Sequence, residues 1–324
     1  MARSGWKTAG LIAGAGCLSI IAILIGGGII ATMYARATVR SLGDPNPQSV
    51  ERRIALSPPP AEANAPGAKG EASRTAPLHV RLELQEGTFT IQPGQPGTEL
   101  QVQGRFAPGL FELTESHSTD PTGAREARVR FHSKAPAWAR FFAGIGNGNE
   151  DGPELTITIP RGTPIDLTLE VSVGRSQIDL GGLTLGDVNV TATMGEHRLD
   201  FREPVVENVR ELRFSNSMGN LSLEHIGNAR PETINATGSM GNVTADLAGA
   251  WSPGSESNLR FDQSMGDLTV RVPSNVRVNA DVRSSQGGES TNRTPTLKQS
   301  DDPKAPTLRL HVTSSMGNAR VIQD

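Results

Sequence analysis

The chain has 324 residues, of which 36% are hydrophobic, 4% aromatic and 20% charged, enough for one sizeable folded domain. Its net charge of −3, with both signs interspersed, excludes the basic footprint of a nucleic-acid binder. The single cysteine, Cys17, excludes an internal disulfide, so stability must come from the core.

Arg3 and Lys7 precede a run from Thr8 to Ala35, 28 positions without a charged side chain. About 20 apolar residues span a bilayer, so residues 1–40 are expected to be an N-terminal membrane anchor that contacts lipid through residues 8–35. A cleaved signal peptide is the rival reading, because Ala35-Arg36-Ala37 resembles a cleavage site. The apolar run exceeds the 7–15 residues of a signal core, which favours retention. Cys17 reads as a membrane-buried thiol. Basic residues flank both ends, but long domains translocate largely regardless of flanking charge. The expected location is therefore a single-pass cytoplasmic membrane protein with its large domain outside the cytoplasm.

Residues 41–77 hold seven prolines among Ala, Glu, Asn, Gly and Ser and show no apolar period. They predict a semi-extended linker that packs no core. From residue 78 the pattern changes. Leu78–Leu84, Thr88–Gln92, Glu99–Gln103, Leu110–Thr114, Arg125–Phe131 and Leu155–Ile159 read as strands between Gly, Pro and Asp turns. Trp138, Phe141, Phe142 and Ile145 are spaced i, i+3, i+4, i+7 and predict one short amphipathic helix. That patch is the candidate contact surface for a membrane or partner, or else a cap over the open end of the strands.

A repeat then takes over. Met194-Gly195, Met218-Gly219, Met240-Gly241, Met265-Gly266 and Met316-Gly317 share one context, with Val173-Gly174 and Gln286-Gly287 as degenerate copies. The successive glycines are 21, 24, 22, 25, 21 and 30 residues apart, a period that marks a solenoid or array. All of the seven methionines except Met1 and Met33 sit directly before a repeat glycine. Before each glycine, apolar residues occupy alternate positions, as in Leu212 and Phe214 or Leu259 and Phe261. After it they alternate in the opposite phase, as in Leu221 and Leu223 or Leu268 and Val270. One buried face that changes parity requires a bend or bulge, and glycine tolerates the positive φ such a point demands. Each repeat thus predicts strand, glycine corner, strand and return loop, with 287–306 as a surface loop. The same parity places the five methionines inward as one packed column. A Cu(I) ladder of thioethers is the competing reading of that column, but no closely spaced Met, Cys or His ligands accompany it.

The expected fold is all-β: a β-solenoid-like stack of glycine-cornered repeats, with a β-sandwich as the alternative, over residues 78–324. The regular repeats occupy 167–324. The Ser-x-Met-Gly-Asn-apolar-x-apolar repeat behind a single apolar anchor resembles the putative-adhesin and toastrack-like families of bacterial envelope proteins, similar to the C-terminal domain of LiaF-like proteins. The resemblance implies a role in envelope stress response or surface interaction and not in catalysis, with no cofactor and no catalytic residue to carry over.

The residues themselves agree. His79, His117, His132, His197, His225 and His311 fall in no close-spaced ligand pattern. His197 and His225 both count as inward positions that approach each other in a stack. No nucleophile elbow or phosphate loop is present, and Gly144–Gly148 reads as a flexible loop. The residues after the glycines, Glu196, Asn220, Asn242, Asp267 and Asn318, would stack as a polar corner ladder. The nine-residue calcium repeat of other solenoids is absent. Two function classes remain: a membrane-tethered interaction or regulatory module, with adhesin or structural spacer as its variants, and a β-helix carbohydrate-active enzyme. The enzyme would need carboxylates and basic residues clustered on one outer face, where the repeats carry mostly Ser, Thr, Asn and Arg.

Overall fold

The computed structural model describes residues 32–38, 41, 46–56, 78–119, 124–136, 152–286, 289–293, 295 and 297–323. The protein is all-β, with β1 at Gln48–Ala55, β2 at Leu78–Pro96, β3 at Glu99–Phe106, β4 at Phe111–Thr119, β5 at Arg125–Ser133 and β6 at Glu154–Arg161. The longer β7 (Ile165–Asp179), β8 (Leu185–Asp200) and β9 (Glu211–Glu224) follow. Next come β10 (Thr233–Met240), β11 (Val243–Asp246), β12 (Glu256–Met265) and β13 (Leu268–Val272). The last four are β14 (Arg277–Gln286), β15 (Glu289–Arg293), β16 (Thr307–Met316) and β17 (Ala319–Gln323).

The chain forms two compact units. The smaller comprises Met1–Gln48, Phe106–Glu112 and Ser133–Gly152. Within it, residues 32–38 are helical, and the Ala107 carbonyl accepts the Leu110 and Phe111 N–H groups at 2.9 and 3.0 Å. No helix among the described residues is long and apolar enough to cross a membrane; positions 8–31 of the expected anchor and the whole Trp138–Ile145 patch lie outside them.

The larger unit is a parallel stack. β2 pairs with β7, β7 with β8 and β8 with β9, in register through their corners. Above β9 each rung is two strands, β10 and β11, then β12 and β13, then β16 and β17. β5 and β6 lie parallel on the two arms of β2. Parallel pairing explains why both arms read as apolar alternation: one face of each arm faces a shared interior. Val188, Leu212, Ile234, Leu259 and Leu310 form one buried column, and Val190, Phe214, Ala236, Phe261 and Val312 the next. Leu221, Val243 and Leu268 and then Leu223, Ala245 and Val270 line the second arm. The return segments add Phe201, Val209, Ile226, Leu247 and Val276 to the core, all fully buried. Trp251, in the same layer, donates its indole N–H to the Leu247 carbonyl at 2.8 Å.

The corner is a column of glycines. Gly174, Gly195, Gly219, Gly241, Gly266 and Gly317 have φ of 133°, 134°, 120°, 114°, 113° and 154°. A Cβ built on any of them would lie 1.7–2.0 Å from the carbonyl oxygen of the preceding glycine. Two requirements thus coincide, a conformation that L side chains rarely adopt and a backbone approach that leaves no room for a methyl group.

Three expectations are corrected. The methionines are not a buried column: Met194, Met240, Met265 and Met316 are 43%, 40%, 38% and 58% exposed, and Met218 is half-buried. Inward parity ends two residues earlier, at the buried Ala192, Asn216, Gly238, Gln263 and Ser314. The Asn216 amide donates to the Gly219 carbonyl at 2.9 Å, and the Gln263 amide to the Gly241 carbonyl at 2.8 Å. These groups fill the inside of the vertex, and the chain from Ser217 to Asn220 turns around them with its side chains outward. The 41–77 stretch is not wholly a spacer, since β1 pairs with β3 and buries Ile54 and Leu56; two alternating apolar residues are too few to register as a period. The 287–306 stretch contains β15, which folds back antiparallel on β14. Rung order also departs from chain order: β16 lies between β12 and β14, so the last repeat inserts beneath the one before it.

This geometry separates two glycine costs. Gly254 has φ of 69° with nothing within 4 Å of a built Cβ, so Gly254→Ala should cost about 1–2 kcal/mol from conformation alone. Gly219→Ala adds the collision with Gly195 and should cost at least about 3 kcal/mol, strain plus backbone displacement. Denaturant midpoints of the two variants check the order.

Candidate functional site

The vertex places two ladders on the surface. On its first-arm side Val173, Met194, Met218, Met240, Met265 and Met316 pair rung to rung, one thioether or apolar side chain per layer. On the other side of the glycines the polar residues are stacked as their spacing implied. Asn220 Oδ1 accepts the Asn242 N–H at 3.3 Å, Asn242 Oδ1 the Asp267 N–H at 3.1 Å, and Asp267 Oδ1 the Asn318 N–H at 3.2 Å. The Asn318 side-chain amide also donates to Asp267 at 3.0 Å, and these bonds hold the Asp267 carboxyl below its usual range. At the start of the ladder Arg175 pairs with Glu196 at 2.9 Å. The ladder therefore serves backbone hydrogen bonding between rungs. A shallow concavity of about 420 Å³ lies beside it, lined in part by Arg175, Glu196, Arg198, Asn220 and Asn242.

His197 and His225 have separate partners. His197 is buried and shares a 2.9 Å hydrogen bond with Ser176 on the rung before. A Ser–His pair at this distance has the shape of a nucleophile and base. Here Ser176 is 1% exposed and His197 3%, so the pair lies in the floor of that concavity with little surface of its own. Burial pushes the His197 imidazole down, with the Met194 backbone acting in the opposite sense.

His225 follows β9 in the left-handed conformation, φ 50° and ψ 39°, before a 3₁₀ turn at Ile226–Ala229. Its Nδ1 lies 2.8 Å from Oδ1 of the buried Asp200. Glu224 completes a group whose ligand atoms all lie within 4.8 Å of one another. Carboxylates and an imidazole at that spacing suit a divalent cation. The positions are already neutralised, however. Arg202 Nε donates to Asp200 at 3.3 Å, Arg198 pairs with Glu224, and Ser222 donates to Glu224 at 3.0 Å. The cluster reads as a charge-balanced network that holds the left-handed His225 in place. Sequence spacing pointed to none of this, because Asp200 and His225 meet only across a rung boundary.

The comparisons bear on the same stack. Residues 67–224 match the family model described as the N-terminal domain of toast_rack, DUF2154. That stretch, just under half of the chain, is similar to a toast-rack domain. Among solved structures it is similar to one titled a "putative cell adhesion protein" from Clostridium sporogenes, at 10% identity and a TM-score of 0.36, over 86% of this chain and 100% of that one. Another, a "putative adhesin" from Bacteroides fragilis, is 12% identical at a TM-score of 0.36, over 85% of this chain and 99% of that one. No curated protein matches it. The toast-rack match ends at Glu224, the last residue of β9, so the Met-Gly rungs from β10 onward extend the same stack beyond it.

The buried imidazole gives a pH dependence of known sign. A His pKa below 6.5 in the folded state means that the unfolded chain takes up the proton first. His197 therefore contributes stability that is present above about pH 6.5 and is lost as pH falls through its lowered folded value. The drop in denaturant midpoint between about pH 7.5 and about pH 5 should be smaller in His197→Leu than in the parent. An equal drop in both proteins would assign the effect to other groups.

Proposed function

We propose that this chain is a membrane-tethered, non-enzymatic β-repeat module of the bacterial envelope, with its toast-rack stack outside the cytoplasm and engaged in interaction or stress-response regulation. The observation that carries the reading is the uncharged 28-residue run from Thr8 to Ala35 ahead of a segment similar to a toast-rack domain. Such a run is long enough to cross a bilayer.

The surface chemistry supports binding over turnover. On the first arms, ion pairs such as Arg81 with Glu170 and Arg309 with Glu256 run between rungs of the stack. Pairs of this kind fix register and present a rigid polar face, and they contribute little to stability individually. The Ser176–His197 pair is buried, and the Asp200 group is occupied by its own arginines.

Protease added to intact spheroplasts should digest or release the stack while cytoplasmic proteins stay intact. Protection until the membrane is lysed would place the stack on the cytoplasmic side. A soluble chain that begins near Thr38 in untreated cells would replace the anchor with a cleaved signal.

A further inference from the structure

The exposed methionine ridge has no structural explanation in the fold. A strand position beside a glycine corner accepts many residues, and methionine is not a favoured strand former. Buried columns of the same rungs vary freely among Leu, Ile, Val, Phe and Ala, yet the exposed column repeats methionine at Met194, Met218, Met240, Met265 and Met316. These five are consecutive in the stack, because β16 follows β12 directly. An apolar docking strip would be served equally by leucine or valine. What methionine alone adds is a thioether sulfur.

We propose that this ridge binds a soft monovalent metal ion of the Cu(I) or Ag(I) class. Thioethers are soft ligands that select Cu(I). Neighbouring rungs of a parallel stack are about 4.8 Å apart. A metal–sulfur bond is about 2.3 Å, so two sulfurs on one ion lie at most about 4.6 Å apart. Unbranched methionine side chains with three rotatable bonds close that difference without backbone movement. Two adjacent rungs supply a linear site, and a third sulfur makes it trigonal. The flanks suit a cation. Thr193, Ser217, Ser239, Ser264 and Ser315, all exposed, stand immediately before the methionines and offer hydroxyl oxygens beside them. Most of the ridge is accessible, at 38–58% exposure for four of its five members. The vertex backbone holds the five methionine Cα atoms in one rung-to-rung row before any ion arrives.

The test uses the full chain carrying Cys17→Ser, which removes the one competing thiol. Under anaerobic conditions it is titrated with Cu(I) against a chromophoric Cu(I) chelator, beside a Met218→Leu, Met240→Leu, Met265→Leu variant. Leucine matches methionine in volume and these sites are exposed or half-buried, so an unchanged denaturant midpoint certifies the fold. The account expects the parent to compete for Cu(I) and the triple variant to bind at least roughly tenfold more weakly. In the chain with all methionines intact, Ag(I) should shift the ε-methyl NMR signals of Met194 to Met316 and leave those of Met1 and Met33 in place. A parent that does not compete, a triple variant that binds equally, or shifts confined to histidine rings would overturn the proposal.

Discussion

The structure depends on one contact: a glycine resting on the carbonyl oxygen of the glycine in the rung before it. The distance that would separate a Cβ from that oxygen, 1.7–2.0 Å, is far inside any van der Waals separation. Each rung must therefore present glycine at the vertex. A slip of one residue would put a side chain against backbone and turn every apolar residue of both arms outward. Hydrophobic burial supplies the driving force along the arms, and the glycine column decides which register can use it. The same contact pushes the residue before each glycine out of the interior, which is how a methionine comes to lie on the surface of every Met-Gly rung.

Polar groups refine this frame. Inside the vertex, Asn216, Gln263 and Ser314 bond to carbonyls of the glycine column, so the bend satisfies acceptors that the strands alone would leave open. Outside, the Asn220–Asn242–Asp267–Asn318 ladder joins successive rungs through backbone N–H groups. Near the start of the stack, burial pushes the Glu83 carboxyl up, but the Arg130 and Arg81 guanidiniums outweigh it and hold it low. At the far end the antiparallel β14–β15 hairpin follows the last parallel pairing. Open strand edges invite association with other chains, and a turned-back hairpin blunts one.

Much of this was legible in the amino-acid sequence because the determinants are local. The period of the glycines gave the rungs, alternation gave the buried arms, and the residues after each glycine gave the corner ladder. What stayed hidden depends on distant partners. Gly87 aligns with Gly174 as an earlier corner inside β2, yet it lacks the preceding methionine and lies far outside the period. β1 is recognisable only from its pairing with β3. The insertion of β16 between β12 and β14 is a matter of topology, and a one-dimensional repeat carries no mark of it. Alternation alone misplaces the methionines for a physical reason: carried through Met218 it reaches the glycine, whereas the Asn216 amide already fills the vertex. The Asp200–His225 contact and the left-handed turn that supports it join residues 25 positions apart.

The central claim is that the vertex is a continuous rung-to-rung hydrogen-bonded column even though its side chains face water. Gly241 N–H donates to the Met265 carbonyl at 3.1 Å and Gly266 N–H to the Met316 carbonyl at 2.9 Å. Native-state hydrogen exchange by NMR reads these amides directly. The account predicts that Gly241 and Gly266 exchange as slowly as the buried-arm amides of Phe214 and Phe261. Exchange at the rate of an unstructured peptide, with the arms still protected, would contradict it.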